Sequence, residues 1–203
     1  MLKLFKRFFE PGAEFDPART CPECGSPLYR TAKPDDLDSS CPNMDCPARI
    51  RRLIAHWCSS AAMNIPVDEQ LVRLLVSCGL ARDASELYRL RLGEIGALPG
   101  VGAAAAAALF DAVRASTKLE GWRALFGLGI SAVGVNEARK LLERFGSVDN
   151  VFAASADRLI RDAGVPETAA RNVVHWHGDP VNRRLVKRLF KAGVNFKLEV
   201  PRG

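Results

Sequence analysis

No run of apolar residues in this sequence approaches the ~18–20 that a membrane-crossing helix requires. The longest candidate, Ala103–Ala108, is short and built only of alanine. Met1–Glu10 carries basic residues, but it does not lead into the apolar core and small-residue cleavage site of a secretory signal. These absences predict no membrane partner and a cytoplasmic location, a reducing compartment where cysteines are expected to bind metal rather than form disulfides. No stretch alternates polar and apolar residues for long, which argues against a β-rich core. Histidine is scarce and scattered: His56, His175 and His177 form no evident acid–base pocket, and the last two read as surface or packing residues.

The composition, 48% hydrophobic and 26% charged, is that of a globular chain with a core of its own. The net charge of +6 is uneven, with thirteen Lys/Arg against eight Asp/Glu in residues 131–203. A basic region of this kind suits a polyanion partner, because each phosphate it neutralises releases counterions. A solvated helical surface is the plainer reading of the same charges.

Cys21-x2-Cys24 and Cys41-x4-Cys46 stand sixteen residues apart. Each close pair offers two thiolates from one turn, and two such knuckles complete the closed tetrahedron of structural Zn2+. Gly25 relaxes the turn after Cys24, and Pro22, Pro27, Pro42 and Pro47 stiffen the loop. With all four positions filled by protein, no catalysis at the metal is expected. Cys58 and Cys78, on apolar helical faces, read as small core residues. A short strand pair is expected inside the zinc loop.

From Ala48 onward the pattern is helical, with Ile50, Leu53, Ile54 and Trp57 recurring on one face. Further helices are predicted near 69–78, 84–90, 103–115, 120–128, 136–145, 148–153, 156–162, 166–175 and 180–192, with 195–200 as an extended tail. The fold class is therefore mainly α. The expected organisation is an amphipathic and linker segment over 1–17, with Leu2–Phe9 as a partner-binding candidate, a four-cysteine zinc finger over 18–48, a helical repeat domain over 49–196 and a tail over 197–203.

The helical part repeats a helix, a tight turn and a second helix. The turns fall near 64–68, 98–102, 129–134 and 162–166. Pro99-Gly100-Val101-Gly102 and Gly129-Ile130-Ser-Ala-Val-Gly134 keep their glycines. Such turns let another molecule approach closely, and the free N–H groups of the following helix face an anion. A DNA phosphate fits there, and the contact reads backbone rather than bases. Gly100, Val101, Gly102, Gly129, Ile130 and Gly134 are thus candidate DNA contacts, with Lys118, Arg139, Lys140 and Arg144 adding charge. The outer two turns carry Pro66 and Asp68, or Pro166, where glycines would stand, and read as packing elements.

Cys21-Pro-Glu-Cys-Gly-Ser-Pro-Leu28 and Cys41-Pro-Asn-Met-Asp-Cys-Pro-Ala48, followed by Arg-Ile-Arg-Arg, resemble the zinc finger of bacterial NAD-dependent DNA ligase. Leu98-Pro-Gly-Val-Gly102 and Leu128-Gly-Ile-Ser-Ala-Val-Gly134 resemble hairpins of that family's four-repeat helix-hairpin-helix domain. The resemblance covers roughly residues 18–196. It implies a zinc finger and a helical domain that clasps nicked double-stranded DNA. It also implies what is missing here: the adenylation domain with its Lys-x-Asp-Gly nucleophile, the NAD-binding domain, the oligonucleotide-binding barrel and the C-terminal phosphopeptide-type domain. Lys118-Leu-Glu-Gly121 carries Glu where that motif has Asp and lies between two hairpins, so no catalytic residue and no NAD site are expected in this chain. Three functions follow: a non-catalytic binder of nicked, gapped or branched duplex in repair or replication, half of a split or truncated ligase with a separate adenylation chain, or a protein-interaction scaffold.

Overall fold

The computed structural model describes residues 15–29, 41 and 43–198. The Leu2–Phe9 segment and Pro42 lie outside the described residues. The chain divides into two compact units, residues 1–52 and 53–203, with the division inside one helix, α1 (Pro47–Cys58).

The first unit is small. Strands β1 (Phe15–Thr20) and β2 (Pro27–Tyr29) pair antiparallel, Phe15 opposite Tyr29 and Asp16 opposite Leu28. The register then shifts before Thr20 meets Pro27. Pro17 lies in that shifted stretch, and a residue without an N–H cannot donate to a ladder. The strand pair brackets the first cysteine knuckle, so the expected pair begins ahead of the cysteines rather than between them. Cys21, Leu28, Cys41, Cys46 and Ala48 form the buried centre. Four of five are too small, and three are thiols, so an apolar core of this size cannot by itself hold the loop.

The second unit is all helical among its described residues. It comprises the end of α1, then α2 (Glu69–Ser77), α3 (Ala84–Leu87), α4 (Leu92–Gly96), α5 (Ala103–Ser116), α6 (Gly121–Gly127), α7 (Val135–Phe145), α8 (Val148–Ala153), α9 (Ala156–Ala163), α10 (Glu167–Gly178) and α11 (Pro180–Lys191). Side chains start many of them. Asp68, Ser147, Ser155 and Asp179 accept from backbone N–H groups of the first turns of α2, α8, α9 and α11, satisfying donors that would otherwise be orphaned. The apolar faces meet in one core that includes Trp57, Leu75, Leu109, Leu125, Leu141, Leu159 and Leu189.

Two details depart from the pattern expected of the sequence. α4 falls in a stretch where no helix was expected, because Gly93 and Gly96 weaken its propensity; the Glu94 carboxylate accepting from the Arg91 N–H at 2.8 Å closes its first turn. Cys78 is not a core residue. It caps the C-terminus of α2 and is exposed, whereas Cys58 is buried as expected, and burial pushes its thiol up to about 12.

The last described residues are tied down. Residues 195–198 run extended beside the α5–α6 link and the start of α8. Asn195 donates to the Thr117 carbonyl (2.9 Å), Val148 to the Phe196 carbonyl (2.9 Å) and Leu198 to the Gly146 carbonyl (2.9 Å). Gly121 permits this approach: a Cβ there would lie 2.6 Å from the Lys197 carbonyl oxygen and 2.8 Å from its nitrogen. Both are backbone atoms, so Gly121→Ala must displace the strap. We expect a loss of about 1–3 kcal/mol, read as a lower urea midpoint with an unchanged slope. An unaltered midpoint would show that the strap contributes nothing to the helical unit.

Candidate metal centre and nucleic-acid interface

In the first unit the knuckles interleave. Cys21 Sγ lies 3.6 Å from Cys46 Sγ, and Cys24 Sγ 3.6 Å from Cys41 Sγ, so each close contact takes one thiol from each knuckle. All four sulfurs fall within 4.8 Å of one another. A tetrahedron with Zn–S bonds of about 2.3 Å has sulfur–sulfur edges of roughly 3.8 Å, so four sulfurs this close suit one ion. The loop geometry follows from the backbone: Cys21 N–H donates to the Ser26 carbonyl and Gly25 N–H to the Cys21 carbonyl, both at 2.8 Å, with Gly25 at φ +69°.

Two of the thiols resist ionisation. Burial pushes Cys24 up, but hydrogen bonds from the Ser26 side chain and backbone, from Asn43 and from Cys41 outweigh it and bring it down to about 6. Burial holds Cys41 and Cys46 up, and the neighbouring cysteines add to it. A divalent ion removes that obstacle, since a coordinating thiol is deprotonated outright. Arg49 donates to the Cys41 carbonyl at 3.2 Å and exerts its charge on Cys41 and Cys46, offsetting the negative charge that four thiolates leave on a divalent ion.

In the second unit the four turns share one backbone pattern. A residue at positive φ is followed by an apolar residue and then by Gly or Pro: Asn64-Ile65-Pro66 (φ +49°), Gly100-Val101-Gly102 (+76°), Ala132-Val133-Gly134 (+62°) and Gly164-Val165-Pro166 (+62°). Ile65, Val133 and Val165 are buried and Val101 is half-buried. In the last three the third residue is the N-cap of the next helix. Its carbonyl accepts from the N–H four residues on: Ala106 to Gly102 (3.0 Å), Ala138 to Gly134 (2.9 Å), Ala170 to Pro166 (3.0 Å). The counterpart of Gly100 is therefore Ala132, not Gly129. Alanine hides the match in sequence, because L-residues take this conformation at a cost of roughly 1–2 kcal/mol.

The helix starts behind these turns differ. α5 begins at Gly102 with no side-chain cap and no acidic residue in its first turn, and beyond the adjoining residues no described atom lies within 4 Å of a Cβ built on Gly100 or Gly102. At α7 the Gly134 N–H donates to the Glu137 carboxylate at 3.0 Å. At α10, Pro166 has no N–H and Glu167 follows. Only the α5 start thus combines free N–H groups with open space and no carboxylate.

Among the other expected contacts, Gly129 is exposed at φ +68°, while Ile130 is 3% exposed and anchors the core, which limits it to backbone contact. Lys118 is exposed just beyond the C-terminal end of α5, about 21 Å along that helix from Gly102. Lys140 and Arg144, one helical turn apart on α7, are exposed. Arg144 also acts on Asp162, whose carboxyl is held low: burial alone would raise it, but hydrogen bonds from Arg158 and Arg161 prevail. Arg139 lies across the Trp122 ring, 4.2 Å from its centre. Arg123, which the sequence pattern did not single out, lies 4.8 Å from the same ring and donates to the Ser60, Ala61 and Ala62 carbonyls beyond α1. The ring thus holds two cations, of which Arg139 remains exposed.

Residues 20–48 match the family model described as the NAD-dependent DNA ligase C4 zinc finger domain, and residues 123–186 match the helix-hairpin-helix motif. The chain is 38% identical over 182 residues to a DNA ligase of Syntrophobacter fumaroxidans, covering 89% of this chain and 27% of that protein. It is 37% identical over 185 residues to one of Rubrobacter xylanophilus (90% and 27%) and 36% over 181 residues to one of Aquifex aeolicus (89% and 25%). The chain thus spans about a quarter of the length of these curated relatives. Family match and sulfur geometry agree: Cys21, Cys24, Cys41 and Cys46 form a structural Zn2+ site.

Cys41→Ser should release the zinc, read as the loss of one bound ion per chain. Because the helical unit has its own core, far-ultraviolet circular dichroism should keep most of its helical signal. Global loss of helix in that variant would show that the finger holds up the rest of the molecule.

Proposed function

Because the chain is related over nine-tenths of its length to the zinc-finger and helix-hairpin-helix region of NAD-dependent DNA ligases, we propose that it binds double-stranded DNA through phosphate contacts at its hairpins and prefers nicked, gapped or branched duplex. The observation that carries this reading is the start of α5. The N–H groups of Gly102–Ala105, at the positive end of a fourteen-residue helix, face open space with no acidic residue in the first turn, whereas the Val101 N–H is taken by the Leu98 carbonyl (3.1 Å). Lys140 and Arg144 on the exposed face of α7 add a weaker second contact, since the Gly129 N–H is taken by the Phe126 carbonyl (3.1 Å). Contacts of this kind hold either strand without reading sequence, as a protein that meets breaks anywhere in a genome requires. The zinc ion closes the finger, and the finger's role is to hold its own fold for contact with the same DNA in repair or replication.

A second reading is that this chain is the DNA-gripping part of a ligase whose adenylation chemistry belongs to residues outside it. The length of the relatives favours it, since the matched region is about a quarter of their length. Addition of the chain to a ligase catalytic domain would then stimulate nick sealing.

Gly102→Pro tests the hairpin contact cleanly. Gly102 has φ −77°, which proline adopts without strain, and Pro166 occupies the same place in the fourth hairpin. The variant keeps the fold and loses one N–H donor. If that donor meets a phosphate, affinity should fall roughly 10–100-fold, the worth of one charge-assisted hydrogen bond. Fluorescence anisotropy with nicked and intact duplexes of one sequence measures this, and the nicked duplex should bind more tightly in the unaltered protein. Equal affinities of Gly102→Pro and the unaltered protein would remove the α5 start from the interface.

A further inference from the structure

The excess positive charge of the last third of the chain is concentrated away from the turns. α2, α9 and α10 each pair a surface arginine with a carboxylate one turn away: Arg73 with Glu69 (2.6 Å), Arg158 with Asp162 (3.2 Å), Arg171 with Glu167 (2.5 Å). α11 is built otherwise. It has five cations and no acidic residue between Pro180 and Lys191. Two of the five are committed to the fold. Arg183 donates to the His177 and Gly178 carbonyls, and Arg188 grips Asp83 at 2.6 Å and Ser85 at 2.9 Å. Arg184, Lys187 and Lys191 are exposed and meet no carboxylate among the described residues. The N-cap Asp179 is occupied with the Val181 N–H.

Spacings of three and four residues put these three cations on one stripe, opposite the buried Asn182, Val186 and Leu189. The stripe is about 10.5 Å long. Phosphates of one strand advance about 3.4 Å each along a duplex, so the stripe matches roughly three of them. Phe190, 58% exposed, flanks it and offers an apolar surface for sugars.

We propose that the outer face of α11 is a second DNA-backbone surface, separate from the hairpin turns, that takes up two or three phosphates of duplex flanking the hairpin footprint. The inference rests on the DNA-binding reading above. It differs in kind from the contact at the α5 start: side-chain charge supplies the attraction here, whereas that turn uses neutral backbone N–H groups.

That difference makes the two contacts separable. Anisotropy titrations of the full chain on a duplex would be repeated across a range of potassium chloride concentrations. Combined replacement Arg184→Ala, Lys187→Ala and Lys191→Ala, at exposed positions where alanine favours helix, should make the slope of log affinity against log salt shallower by about 2–3, roughly 0.9 per lost phosphate contact. Gly102→Pro removes no charge and should lower affinity with little change of slope. An unchanged slope in the triple variant, with binding intact in the parent and weakened in Gly102→Pro, overturns the α11 surface and leaves the hairpin reading standing. An unchanged slope with lost binding to phosphatidylserine vesicles would assign the stripe to an anionic lipid surface instead. Absence of any salt-dependent binding by the parent would overturn the DNA-binding reading itself, and this surface with it.

Discussion

The three-residue turn that joins paired helices is the constraint on which the helical unit depends. It needs one residue at positive φ, one apolar side chain that anchors the turn, and one residue whose carbonyl opens the next helix. Asn64, Gly100, Ala132 and Gly164 meet the first demand at φ +49° to +76°. Ile65, Val133 and Val165 meet the second from within the core. Once the turn is set, the two helices must diverge in a fixed way, and the unit becomes a repetition of that geometry. Variation in the third residue then distributes function. Glycine leaves an N–H, proline deletes it, and an acidic residue in the following turn either consumes it or repels an anion.

The finger depends on a different constraint. Its centre is three buried cysteines, one leucine and one alanine. Buried thiols resist ionisation, as the raised Cys41 and Cys46 illustrate. A divalent cation converts that obstacle into the force that closes the loop, since ligand binding to a site absent from the unfolded chain is folding free energy. The two units thus rely on unrelated sources of stability, metal in one and helix packing in the other.

Much of this was legible in the residues. The cysteine spacing specified the metal centre, and the apolar periodicity specified nearly every helix, because both signals are local. The positions of the hairpins were legible from glycine and proline. What the sequence obscured depended on context. Ala132 holds a conformation that glycine usually marks, and the nearby Gly129 draws the eye away from it. Nothing in the local sequence marks Glu137, yet it occupies the Gly134 N–H. Cys78 sits at a helix end whose exposure only the fold determines. Nothing local singles out Arg123 or Arg188, but each spans more than sixty residues of sequence to fix another element.

The central claim is that a phosphate is held by the backbone at the start of α5. Amide-resolved NMR of the chain with increasing duplex DNA tests it most directly. The account predicts that the N–H signals of Gly102, Ala103, Ala104 and Ala105 shift early and strongly, while that of Gly134, already bonded to Glu137, shifts less. Saturating DNA that leaves the Gly102–Ala105 signals in place while moving those of other surfaces would contradict it.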